Sequence, residues 1–201
     1  MRIAEAGNCV LALKPALGEF VPAGAPLFEI EGAGERVDAD AVLRAIKLGL
    51  ERTLDQDVAY GLRMLVDIAE RSLSDSPFLD PTTAVQAIDR LHDCLRQLAP
   101  RPFPDGRYRD EEGVVRLITP SMTWEDYVHL AVDEIRLAGA GSPQVARRLR
   151  AALEDLLTIT PAERQNALKE QLTLLQSGIE STIGEGTDRT YLKRGDARGL
   201  G

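Results

Sequence analysis

Val58-Ala59-Tyr60-Gly61-Leu62-Arg63-Met64-Leu65-Val66-Asp67-Ile68-Ala69-Glu70-Arg71-Ser72-Leu73 decides the fold class. Val58, Leu62, Leu65, Ala69 and Leu73 recur at the i, i+4, i+7 spacing of a buried helical face. Met64, Val66 and Ile68 widen that face. Gln56, Tyr60, Arg63 and Asp67 fall on the other side. Thr53-Leu54-Asp55-Gln56 fits a capping box, so a helix from about Thr53 to about Ser72 is expected. A helix this broadly apolar belongs at the centre of a bundle.

Working outward, the helical period continues in both directions. Asp38 is expected to cap a helix running to about Gly49. Downstream, Asp80-Pro81 is an N-cap followed by proline at the first helical position. Ala84, Ile88, Leu91, Leu95 and Leu98 then face inward until Pro100. Thr123 caps a helix with Trp124, Val128, Ala131, Val132 and Ile135 on one face. Leu130 and Leu137 lie opposite, which suggests a sandwiched or interfacial helix. Ser142-Pro143 starts another, with Val145, Leu149, Ala152, Leu153 and Leu156 inward. Thr160-Pro161-Ala162-Glu163 reads as a further cap. The last helix carries a narrow seam of Leu168, Leu172, Leu175, Ile179 and Ile183, suited to one partner helix.

Before the helices, residues 1–31 read as strands. Cys9–Leu13 and Leu27–Ile30 are short apolar runs. The glycines and prolines of Gly18–Pro26 between them exclude helix and serve turns. Tyr108 to Ile118, turning at Asp110-Glu111-Glu112-Gly113, reads as a β-hairpin. The expected fold is mainly α: a bundle of about six helices with a small N-terminal β module and one β-hairpin. The expected organisation is a β module at 1–34, a helical bundle at 35–183 with the hairpin near 106–118, and a disordered tail at 184–201.

Composition narrows the function. The chain has 201 residues, 44% hydrophobic and 28% charged, which is globular. Lys and Arg number 24 against 32 Asp and Glu, a formal charge of −8. Nucleic-acid binding rests on neutralising phosphates, so no nucleic-acid partner is expected. The 4 Phe, 4 Tyr and 1 Trp are too few for a base-stacking platform. No apolar run approaches the ~20 residues of a membrane helix, so the chain as it stands should be soluble. Cys9 and Cys94 have no metal-ligand spacing and read as reduced thiols.

Candidates for chemistry are sparse. There is no G-x-S-x-G elbow, no phosphate loop and no dinucleotide fingerprint. Asp89 and His92 form a D-x-x-H pair without a further ligand in helical reach, and His129 is on another helix. No metal and no cofactor are expected. Asp55 and Asp57 suit the first turn of a helix. Arg63 and Asp67, at i and i+4, suit a surface ion pair. Arg147, Arg148 and Arg150 read as a solvated helix face. The G-x-x-V-x-x-G-x-P-L pattern from Gly18 is similar to a hairpin of lipoyl and biotinyl carriers, for which Lys14 is the nearest lysine and is poorly placed.

Several stretches together carry a resemblance. They are Gly18–Val21, Arg52–Asp57, Gly61–Ala69, Asp80–Ala84 and Gly113–Leu117. In this order they resemble the domain-of-unknown-function family 2254 over most of residues 1–160. The resemblance implies a bacterial membrane protein with amino-terminal transmembrane helices and a long soluble carboxy-terminal part, and no established activity. The transmembrane helices are missing here, so the chain resembles the soluble portion only. Leu79 stands where the family usually has Asn before Asp-Pro. If the family has a polar working site, the matching positions are Gln56, Asp57, Arg63, Asp67, Asp80 and Thr83.

These readings imply a non-enzymatic cytoplasmic module of a protein held in the cell membrane through a missing N-terminal part. Its role would be assembly, regulation or gating. A small-ligand binder or enzyme using the Arg63, Asp67 and Asp80 region is the alternative, and a degenerate carrier-like β module a third. A homo-oligomer is expected, joined through the carboxy-terminal helices or the β module.

Overall fold

The computed structural model describes residues 1–32, 37–74, 79–182 and 187–199; Ile183 and the Gly184-Glu185-Gly186 stretch lie outside them. The chain divides into two units, Met1–Asp57 with Phe103–Ser121, and Val58–Pro102 with Met122–Gly201. It is mainly helical, with one mixed sheet.

The first unit begins with a short helix α1 (Arg2–Ala6), where strand was expected. Ala4 and Ala6 favour helix, and the turn closes as the Gly7 N–H bonds to the Ile3 carbonyl. Then come β1 (Cys9–Leu13) and β2 (Phe28–Gly32). They pair antiparallel, with Leu11 opposite Ile30. β3 (Arg107–Arg109) and β4 (Val115–Ile118) form the expected hairpin. It belongs to the first unit. β4 pairs parallel with β1, Leu11 facing Leu117, and the order is β2-β1-β4-β3. Sequence proximity gave no hint of this pairing, which joins segments some hundred residues apart. Ala4, Cys9, Leu11 and Val42 form a small core, with Ile3, Phe28, Val37 and Leu117 against it.

α2 (Ala39–Arg44) is capped by Asp38, whose carboxylate accepts from the Ala41 N–H at 3.1 Å. It ends at Arg44 rather than near Gly49. The expected cap at Thr53 is absent too, because the stretch before Val58 is not helical. Arg52 and Asp57 are ion-paired across that stretch, with Nη2 2.7 Å from Oδ2. Such a closure holds the segment as a loop.

The second unit holds α3 (Val58–Leu73), α4 (Pro81–Leu98), α5 (Trp124–Gly139), α6 (Pro143–Ile159), α7 (Gln165–Thr182) and α8 (Thr187–Leu192). α3 packs on α4 and α5, α4 on α6, and α7 on α5 and α6. Leu62, Val66, Ala69 and Leu73 are the buried face of α3, whereas Val58, Met64 and Ile68 are exposed. The face is therefore rotated from the expected one, toward Val66. On α5, Trp124, Val128, Ala131, Val132 and Ile135 are buried as expected, and Leu137 is exposed. Thr160 does not cap α7: its hydroxyl donates to the Leu156 carbonyl at 2.7 Å, and one turn of 3-10 helix (Ala162–Arg164) precedes α7. Leu168, Leu175 and Ile179 form the buried seam of α7.

Gly184 onward was expected to be disordered. Residues 187–199 instead include α8 and a segment that packs on α6. The Arg147 carbonyl accepts from the Asp196 N–H at 3.0 Å, and Gln144 donates to the Gly199 carbonyl at 2.7 Å. The Arg147 guanidinium also lies 4.0 Å from the centroid of the Tyr191 ring. Fixed partners along α6 supply the order that glycine and charge alone would deny.

Candidate functional site

The six positions singled out from sequence are divided between the two units. Gln56 and Asp57 belong to the first unit, and Arg63, Asp67, Asp80 and Thr83 to the second.

In the first unit Asp57 is buried, and its Oδ2 accepts from Arg52 Nε at 3.1 Å and Nη2 at 2.7 Å. Gly18, at φ +76°, passes directly over this pair. A Cβ there would stand 2.3 Å from Asp57 Oδ2 and 2.5 Å from Arg52 Nε. Two stretches quoted above for their resemblance, Gly18–Val21 and Arg52–Asp57, thus meet in space. Gln56 is exposed. Lys14 is ion-paired with Glu29 at 2.9 Å.

In the second unit Arg63 is the hub of an ionic cluster. Its Nε donates to Asp67 Oδ1 at 2.6 Å, its Nη2 to Glu70 Oε2 at 3.2 Å, and its Nη1 lies 2.5 Å from Glu134 Oε2. The expected surface pair is one contact among three, and the cluster ties α3 to α5. Burial raises the Glu70 carboxyl above its ordinary value, helped by a hydrogen bond and charge from Glu134, while Arg63 opposes the shift. An open groove of about 560 Å³ adjoins the cluster, lined by Asp67, Glu70, Arg71, Leu73, Ser74 and Ala138.

Asp80 and Thr83 sit elsewhere. Asp80 is the N-cap of α4: Oδ1 accepts from the Thr82 and Thr83 N–H groups at 3.1 and 3.2 Å, and Oδ2 from the Thr83 hydroxyl at 2.6 Å. The Asp80 N–H bonds to the Ser72 carbonyl. Ser72 is nine residues along α3 from Arg63, a rise of ~13 Å. Sequence reasoning placed the cap correctly but grouped it with Arg63, which is too far along the helix.

Among the described residues, a five-membered ionic network between α4 and α6 has no counterpart in the sequence reading. Arg147, Arg148 and Arg150 are buried, not solvated. Arg148 Nε donates to Asp89 Oδ1 at 2.6 Å, and its Nη2 lies 3.1 Å from His92 Nδ1. His92 Nε2 lies 2.7 Å from Asp155 Oδ2, and Arg96 pairs with the same carboxylate. Arg148 can only donate, so Nδ1 must accept and Nε2 must carry the proton toward Asp155. Burial raises the Asp155 carboxyl, but Arg96 and His92 together outweigh it and hold the group below its ordinary value. The imidazole thus has both nitrogens engaged and bridges the Asp89–Arg148 pair to the Asp155–Arg96 pair, a network that locks α4 to α6. Arg148 lies one turn before Ala152, on the face of Val145, Leu149 and Ala152 that was read as buried; that was the signal available.

A smaller network joins α5 and α7. Gln171 is fully buried, donates to Asp133 Oδ1 at 2.6 Å and accepts from Arg136 Nε at 3.1 Å. Cys9 and Cys94 are free thiols. Among the described residues no group of His, Cys, Asp and Glu is arranged to hold a metal ion, and no helix is long and apolar enough to cross a membrane.

These features define an α-rich protein with a four-stranded mixed sheet, whose described ionic clusters tie helix to helix. The chain belongs to the family described as predicted membrane protein (DUF2254), whose model matches residues 1–155. Uncharacterized proteins of Mycobacterium bovis and Mycobacterium tuberculosis are each 30% identical to it over 203 residues, 98% of this chain and 39% of theirs. Another, from Mycobacterium tuberculosis strain CDC 1551, is 32% identical over 157 residues, 78% of this chain and 30% of its own. The chain therefore spans about two fifths of the length of the first two relatives. No solved structure matches it.

Proposed function

We propose that the chain is a cytoplasmic module of a larger membrane protein, acting in assembly, regulation or gating through self-association. The observation that carries this reading is the second apolar face of α3. Val58, Met64 and Ile68 are exposed while Leu62, Val66, Ala69 and Leu73 fill the core of the same helix. An apolar stripe beside an already buried one suits a helix partner. Symmetric dimers are the commonest arrangement of identical chains, so a second copy is the expected occupant.

Light scattering at concentrations on the order of tens of micromolar, where a weak dimer still forms, tests it. A dimer or larger symmetric assembly is expected, reduced to monomer by Ile68→Glu combined with Met64→Glu. A monomeric parent protein at that concentration would overturn the reading.

A second reading, binding or turnover of a small molecule, is supported by the open groove beside Asp67 and Glu70. Its carboxylates suit a small cation. Protection from thermal unfolding by a small amine, lost in Glu70→Gln, would favour this reading over the first.

A further inference from the structure

The first unit displays apolar side chains on two segments that approach each other at Gly18. Leu17 and Phe20 are exposed on the turn around Gly18, Phe20 at 85%. Leu48, Leu50 and Leu54 are exposed on the loop leading to Arg52 and Asp57, and Leu50 is fully exposed. Gly18 packs against the Arg52–Asp57 pair, so turn and loop are neighbours rather than scattered tips. The turn is held by its own bonds: Glu19 accepts from the Ala16 N–H at 2.7 Å, and the Glu19 N–H bonds to the Ala16 carbonyl.

We propose that this surface, the Leu17–Phe20 turn with the Leu48–Leu54 loop, inserts into the interfacial layer of a phospholipid bilayer. Three observations select lipid over a protein partner. First, the apolar groups protrude from turns and loops. A bilayer interface accepts protruding side chains without a matching shape, whereas a protein partner must supply pockets. Second, the stretch Leu43–Leu50 carries Arg44 and Lys47 and no acid, in a chain of formal charge −8. Both cations are exposed beside the leucines; Arg44 also pairs loosely with Asp38 at 3.6 Å and Glu51 follows the stretch, so Lys47 is the cation that best suits a phosphate headgroup. Third, the family is one of predicted membrane proteins, while no described helix can span a bilayer, so contact by these residues is peripheral. The inference rests on the membrane-module reading and adds a direct lipid contact to it.

Flotation with vesicles of mixed phosphatidylcholine and phosphatidylglycerol tests the proposal. The parent chain should float with the vesicles. Phe20→Ser combined with Leu50→Ser should lower partitioning on the order of tenfold, since each side chain gives up its apolar transfer. Both groups are exposed, so melting should be unchanged, and a matching melt is the control for folding. Leu137→Ser, in the other unit, should float like the parent. In Leu50→Trp, vesicles should shield the new indole from acrylamide, against the buried Trp124 background. Absence of flotation, or equal flotation of the double variant, overturns the proposal. So does loss of self-association by the double variant in lipid-free solution, which would assign the surface to a second copy. Self-association through α3 is read without lipid, so loss of lipid binding with an intact oligomer rejects this inference alone.

Discussion

Arg148 on α6 reaches Asp89 on α4, with Nε 2.6 Å from Oδ1, and in the same reach its Nη2 meets His92 Nδ1. A guanidinium this deeply placed has few ways to regain water. Truncation to Ala would leave the His92 acceptor unpaired and open a gap between the helices. Asp89 is half-exposed and recovers solvent, which lowers the cost. Arg148→Ala should therefore lose about 1–3 kcal/mol, read from the urea midpoint at unchanged slope. Arg148→Lys should recover little, because one ammonium cannot serve Asp89 and His92 in a fixed fork.

Gly18 and Gly24 make a matched pair. Both have positive φ, +76° and +84°, but a Cβ at Gly24 meets nothing within 4 Å while one at Gly18 collides with Asp57 and Arg52. Gly24→Ala should cost about 1 kcal/mol of backbone strain. Gly18→Ala should cost more, about 2–3 kcal/mol, because the ion pair must also shift. Equal losses on thermal unfolding would show that the Gly18 contact contributes nothing.

The elements were legible in the sequence where local chemistry specifies them. The Asp80-Pro81 start, the Thr123 cap and the Asp110–Gly113 turn each use short-range bonds between neighbours. The turn is closed by Asp110, whose Oδ1 accepts from the Glu112 and Val114 N–H groups. What needed distant partners was not legible. The parallel pairing of Leu11 with Leu117, the link of Arg63 to Glu134 and the link of His92 to Asp155 join segments with no shared sequence pattern. The arginines of α6 were misjudged for the same reason: charge suggests solvent until the facing Asp89, Gln176 and Tyr191 are known. Of the candidate site, the Arg63–Asp67 spacing and the Asp80–Thr83 cap were readable, and their separation along α3 was not.

Glu70 gives a pH prediction. Its folded value is raised above the ordinary 4.5, first by burial and then by Glu134. A raised carboxyl favours the folded state most when protonated. Its contribution is therefore full below pH 4.5 and is lost as pH rises through the folded value. Glu70→Gln keeps a donor toward Glu134 and removes the charge. The variant should melt higher than the parent at neutral pH, and the gap should close on acidification. A gap that persists unchanged at low pH would show that Glu70 is not protonated there in preference to the unfolded chain.

Asp80 separates capping from chemistry. Its carboxylate satisfies two backbone N–H groups and the Thr83 hydroxyl at the start of α4. The Thr83 hydroxyl, then the Thr83 N–H, holds the carboxyl below its ordinary 3.8. The sign is opposite to that of Glu70: the contribution is present above pH 3.8 and lost as pH falls through the depressed value. Asp80→Ala should lower the melting temperature by a few degrees at neutral pH, with the difference shrinking in acid. Asp80→Asn should restore most of the loss, because an amide oxygen still accepts from the two N–H groups. Thr83→Val should show a smaller loss, since it removes only the hydroxyl. Were Asp80→Asn to melt like the parent yet fail in self-association or ligand protection, the carboxylate charge itself would be a working group, beyond its role as a cap.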